Sequence, residues 1–173
     1  AGYLAALERA GIEFRPEWRI EGPRNRHSGF DAAATFLQIE NRPTAAACFS
    51  DLVALGFMYG LSRAGLRPGV DIAVTGYDDS DEAAIATPPL CTVSNGQSEV
   101  GRRAAEALLA RLAGQPAADE TILITPELRV RQSSDYSWPT EPVRVPPHER
   151  QQAEEEAYMS DLSAVTILVP GKL

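Results

Sequence analysis

Residues 71–93 read DIAVTGYDDSDEAAIATPPLCTV. An apolar, β-branched run stops at Gly76, two aspartates follow, and Pro88-Pro89 leads into a second apolar run at 91–93. Continuous apolar runs, in place of alternation, are what strands covered on both faces look like. Asp78 and Asp79 at the end of such a strand either cap and turn the chain or face a cleft and hold a ligand.

Working outward, TAAACFS at 44–50 is another short strand-type run. Asp51 stands at the head of LVALGFMYGLSRAG, a helix ending at Gly65 that is apolar around most of its circumference. More than one side of it should therefore be covered. LRPG at 66–69 makes the turn into the quoted stretch. Nearer the N-terminus, residues 3–10 end a helix with Leu4, Ala5 and Leu7 apolar and Gly11 as its stop. WRIE at 18–21 is a strand candidate, and Ser28 is expected to cap a helix to about Ile39.

Downstream, Ser94 or Asn95 opens a helix through Ala113, with Ser94 and Gln97 at capping-box spacing. Val100, Ala104, Leu108 and Leu112 recur every four residues on it as a core-facing stripe. Residues 120–134, ETILITPELRVRQSS, supply one or two closing strands. Strands alternating with helices predict an α/β fold: a parallel sheet of right-handed βαβ units flanked by helices.

A chain of 173 residues with 44% hydrophobic and 23% charged residues has ordinary globular composition. No window approaches a membrane span, and no signal-peptide pattern opens the chain. It begins without methionine, in mid-helix, and is expected to be a fragment. Cys48 and Cys91 lie in apolar stretches at no metal spacing, which fits buried reduced thiols and a cytoplasmic setting. The net charge of −8 argues against a nucleic-acid surface on this piece. Residues 135–173 carry seven acids and three bases, a net −4, with four prolines in SWPTEPVRVPPHER. They form an acidic, proline-rich tail of uncertain order, in which AVTILVP at 164–170 is strand-like.

In an open parallel sheet, ligands collect outside the carboxyl ends of the strands. Two strands end there in polar pairs, Ser50-Asp51 and Asp78-Asp79. As neighbours their ends would lie about 5 Å apart, and the carboxylates would suit the hydroxyls of a sugar or polyol. Arg24, after WRIE, would add a guanidinium fork. Plainer roles compete: Asp51 as a helix N-cap, Asp79 and Asp81 as turn residues, Arg24 as a solvated charge. Asp78 is the hardest to explain structurally, because no helix obviously starts after it. His27 and His148 sit in polar loops, and no nucleophile elbow, P-loop or metal-spaced cluster occurs. No enzyme activity, metal or cofactor is expected.

These residues resemble the lactose/galactose-repressor family of bacterial transcriptional regulators over roughly three quarters of the chain, from Gly2-Tyr3 to about Ser133. Asp51-x-x-Ala54-x-Gly56 is followed by Gly65-Leu66-Arg67-Pro68 and then by Gly76-Tyr77-Asp78-Asp79. Thr87-Pro88-Pro89-Leu90, Thr92-Val93 and Leu128-x-x-Arg131-x-Ser133 complete the order. The resemblance implies a helix-turn-helix outside this chain, and a two-lobed sensor like a type I periplasmic binding protein. An effector would bind between the lobes, and homodimers would reach operator DNA only through the N-terminal domain. It implies effector contact at Asp78 and at Ser50, where the family commonly has asparagine, and cleft positions at Arg24 and Asn95. The family's ligand-gripping arginine would lie upstream of Gly2.

By the same resemblance, residues 1–134 are an incomplete effector-binding and dimerisation domain. Residues 2–90 and 121–133 would form the C-terminal lobe, and helix 97–113 would belong to the other lobe. Its stripe would then be an exposed apolar patch, and AVTILVP would cover either that patch or a vacated sheet edge. Leu52, Leu55 and Tyr59 would lie near the dimer surface, their plainer role being core. A periplasmic sugar-binding protein of transport and a truncated remnant without ligand are the competing functions.

Overall fold

The computed structural model describes residues 2–115 and 121–134; the tail and its AVTILVP segment lie outside the described residues. Helix α1 (Gly2–Arg9) buries Leu7 and leads through a one-turn 3-10 segment, Pro16–Trp18, to helix α2 (Arg26–Gln38). Then come β1 (Ala45–Ala47), α3 (Asp51–Arg63), β2 (Ala73–Thr75), α4 (Asp81–Ile85), β3 (Thr92–Ser94), α5 (Gln97–Leu112) and β4 (Glu127–Arg129). Among the described residues no helix is long and apolar enough to cross a membrane.

β1 and β2 pair in parallel, with Ala46 opposite Val74. A parallel bridge from Thr75 to Cys91 continues the sheet into β3. Two bonds beyond the β2 ladder reinforce that seam: Gly76 N–H donates to Cys91 C=O at 2.8 Å and Asp78 N–H to Val93 C=O at 3.0 Å. β4 returns antiparallel along β3, Val93 opposite Leu128. The expected parallel sheet is therefore parallel from β1 to β3 only. A parallel return needs a crossover helix packed on the sheet, and α5 has no buried residue. Val100 is 49% and Leu112 76% exposed, so the four-residue stripe is not covered within the described chain.

The core lies between the sheet and the α2–α3 pair. Glycines let these helices touch backbone to backbone: a Cβ on Gly29 would strike the Val53 carbonyl, and one on Gly56 the Arg26 carbonyl. Phe36 and Phe57, both fully buried, meet edge to face with centroids 5.4 Å apart. The apolar circumference of α3 is accounted for, since Val53, Ala54, Phe57, Met58 and Leu61 are all buried.

Local expectations needed correction in four places. WRIE is not a strand: Trp18 and Ile20 are buried while Arg19 and Glu21 are exposed, but no ladder runs beside them. Pro16 starts a turn there, and Trp18 Nε1 is spent on Asn41 C=O at 3.1 Å. Asn25, not Ser28, caps α2; its side chain receives the Ser28 N–H at 2.9 Å. α5 begins at Gly96 in the left-handed region, φ 67°, without the expected Ser94 box. A helix does follow the two aspartates, because Ser80 caps the short α4 through the Ala83 N–H.

Candidate functional site at the strand ends

The parallel register brings Phe49-Ser50 and Tyr77-Asp78 to the same end of neighbouring strands, where Asp51 N–H donates to Tyr77 C=O at 2.8 Å. β3 adds Asn95 at that end. Asp78 adopts φ 118° and Asp79 φ 55°. The first lies in a region that side-chain-bearing residues seldom occupy, a strain of ~1–3 kcal/mol that surrounding contacts must hold in place.

Those contacts are identifiable. The Asp79 carboxylate is gripped by Arg131 Nη2 at 2.6 Å and by Arg129 Nε at 3.4 Å, which lowers its pKa. Arg131 also donates to Leu90 C=O at 2.9 Å, fastening the bend to the chain that leads into β3. Asp79 N–H donates to Thr92 Oγ1 at 3.3 Å. Asp79 thus secures the bend, while the Asp78 carboxylate, equally half-buried, is held by no arginine among the described residues.

Asp51 differs from both of its expected roles. The N-cap of α3 is Ser50, whose Oγ accepts the Val53 N–H at 3.4 Å. Asp51 is only 1% exposed, and both of its oxygens are engaged by the protein. Ser80 N–H donates to Oδ2 at 2.7 Å and Thr92 Oγ1–H to Oδ1 at 2.5 Å. A carboxylate so occupied is an internal strut, not a ligand contact. Gly76 makes room for it, since a Cβ there would strike Asp51 Oδ1. Cys48, sealed beneath, has its thiol pushed up to about 12 by burial and then by the Asp51 charge, so it is unreactive.

What remains open at the rim is Asp78 with Asn95. Asn95 Nδ2 donates to Asp78 Oδ1 at 3.3 Å. Asn95 Oδ1 is buried without a hydrogen-bond partner among the described residues. Burial, and secondarily the Asp51 charge, raise the Asp78 pKa. The pair offers acceptors on both residues, the complement of a hydroxyl-rich molecule. Arg24 is exposed at the edge, its guanidinium 4.1 Å from the centroid of the Phe49 ring. Ser50 is nearly buried beneath that ring's strand end.

Of the three α3 residues assigned to a dimer surface, Leu55 belongs to the core at 1% exposure. Leu52 and Tyr59 stand out at 43% and 48%. Helical geometry turns position 55 inward while 52 and 59, seven apart, share the outer face. Sequence reasoning missed Thr92, Ser80, Arg129 and Arg131. The linear traces of the clamp are Thr92 and Arg131, quoted above among the motif residues but given no role, and the alternation of charge and apolar residue in RVR at 129–131. Among the described residues there is no cluster of His, Cys, Asp and Glu suited to a metal.

A parallel α/β core with a polar rim at its strand ends is the lobe architecture of periplasmic-binding-type proteins. The chain belongs to the periplasmic binding protein-like domain family, which residues 1–134 match. It is 36% identical over 132 residues to the HTH-type transcriptional repressor PurR of Mannheimia succiniciproducens, covering 76% of this chain and 40% of that protein. Among solved structures it resembles the lac repressor dimer bound to operator and the anti-inducer ONPF, at TM-score 0.67 and 32% identity, over 77% of this chain and 39% of that one. It also resembles the transcriptional regulator CelR in its cellobiose complex, at TM-score 0.68 and 32% identity, over 76% of this chain and 40% of that one. The chain therefore spans about two fifths of the length of these relatives, in the lactose/galactose-repressor branch of the family.

Proposed function

We propose that this chain is the effector-sensing part of a sugar-responsive transcriptional regulator that works in the cytoplasm as a homodimer. A small molecule binds at Asp78 and Asn95, with Ser50 and Arg24 at the edges. The observation that carries this is the Asp78–Asn95 pair: a strained aspartate with a raised pKa beside a buried carboxamide oxygen that lacks a partner among the described residues. Folding gains nothing from that arrangement, whereas a polyhydroxy ligand would complete it. The cellobiose complex of CelR supports a sugar as the ligand class.

Residues 1–134 act as the sensing unit, and helix 97–113 packs on a second lobe, which accounts for the bare stripe on α5. Leu52 and Tyr59 supply the dimer surface. The effector favours one lobe arrangement over another and thereby biases the spacing of two DNA-binding domains that lie outside this chain. The domain carries out no reaction of its own.

A thermal-shift screen of sugars tests this. A binder present at a hundred times its Kd adds about 2.7 kcal/mol of stability, and Asp78→Ala should abolish the shift while the variant still folds cooperatively. A shift unchanged in the variant removes Asp78 from the site.

A further inference from the structure

We propose that the ligand of this rim carries an anionic group as well as hydroxyls, of the kind found in a sugar acid or a sugar phosphate, and that Arg24 receives the anion. The inference rests on the Asp78–Asn95 rim being the effector site.

Two observations place Arg24 on that rim. Its guanidinium lies over the Phe49 ring, and Phe49 is the last residue before Ser50 at the end of β1, 51% exposed. The loop is pinned on the side of the aspartates: Arg26, two residues on, pairs with Glu82 on α4, four residues after Asp78. Arg24 is therefore held along the same strand-end rim as Asp78 by contacts that leave its own fork open.

The pairing pattern separates it from the arginines near the aspartates: Arg26 pairs with Glu82, and Arg129 and Arg131 with Asp79. Arg15, over the Trp18 ring, shares the pattern of Arg24 but follows helix α1 and not the strand ends. Arg24 meets only an aromatic face among the described residues, in a protein with 24 acids against 16 bases. With its Cζ 4.1 Å from the ring centroid, the guanidinium has N–H donors not engaged by a carboxylate among the described residues, and such a fork suits a bidentate contact with carboxylate or phosphate oxygens. The rim then has two chemically distinct ends. Acceptors at Asp78 and Asn95 meet hydroxyls, and the donor fork at Arg24 meets the anion.

The test is titration calorimetry of the protein with glucose, gluconate, glucuronate, phosphorylated glucose and adenine, repeated on Arg24→Gln and Asp78→Asn. At least one anionic sugar is expected to bind about tenfold or more tighter than glucose, the scale of a charge-assisted hydrogen bond. Arg24→Gln should erase that preference, bringing the anionic sugars down to the affinity of glucose for the same variant; Asp78→Asn should weaken all the sugars. Gluconate and glucuronate against phosphorylated glucose tell which anion is read. Equal binding of glucose and its acids, tighter binding of adenine, or an unaltered preference in Arg24→Gln overturns the inference and leaves Asp78-dependent sensing standing. Sugar binding that ignores Asp78→Asn, or no binding by any probe, overturns both.

Discussion

Two adjacent aspartates in this protein have opposite electrostatic standing. Asp79 has its carboxylate held low by Arg131 and Arg129, while Asp78 is raised by burial and by Asp51. A raised folded-state pKa means that the protonated form favours folding and that this contribution fades as pH rises through the raised value. At neutral pH the Asp78 charge therefore works against the unliganded fold. Asp78→Asn, which keeps the shape and tolerates positive φ, should raise the midpoint of thermal unfolding at pH 7. The gain should shrink as the buffer is acidified into the carboxylate range. A variant that is less stable than the parent at pH 7 would show that Asp78 has a structural role.

At the scale of elements, the α2–α3 contact sets the core, and it depends on the absence of side chains at Gly29 and Gly56. Gly56→Ala places a methyl against the Arg26 carbonyl, a backbone atom that cannot swing aside. Overpacking typically costs about 1–3 kcal/mol, and this site should reach the upper end. Gly101, on α5, has open space around its Cβ direction, so Gly101→Ala should stabilise by about 0.5–1 kcal/mol through helix propensity. Urea denaturation of both variants measures the contrast. Equal effects would mean that α2 and α3 do not pack as closely as described.

Across the whole molecule, acid resistance should follow the clamps. Asp71, bound by Arg67 through side chain and backbone, and Asp79 both have lowered pKa values. Their contributions are complete above the ordinary carboxylate pKa and are lost as pH falls through the depressed values. Stability measured by urea midpoint should therefore drop below about pH 4. Asp79→Asn should cost about 1–3 kcal/mol at pH 7 and flatten that acid limb. An acid limb identical to the parent's would relocate the loss to other carboxylates.

The sequence by itself determined the α/β class, the long buried α3 and the placement of polar pairs at strand ends, because each follows from local periodicity and punctuation. The apolar run that the LRPG turn at 66–69 introduces and Gly76 closes is legible within its own segment. Only the tertiary structure decided what each polar side chain does. Asp51 looks like a cap in the chain, yet Thr92 lies 41 residues away and closes on its carboxylate. Asp79 finds Arg131 at a separation of 52. Ser50 takes the cap that Asp51 seemed to own, and β4 runs antiparallel because α5 does not lie on the sheet. Hydrogen-bond partners distant in sequence are chosen by chain topology, and a carboxylate is identical in the alphabet whether it ends as a strut, a clamp or a ligand contact.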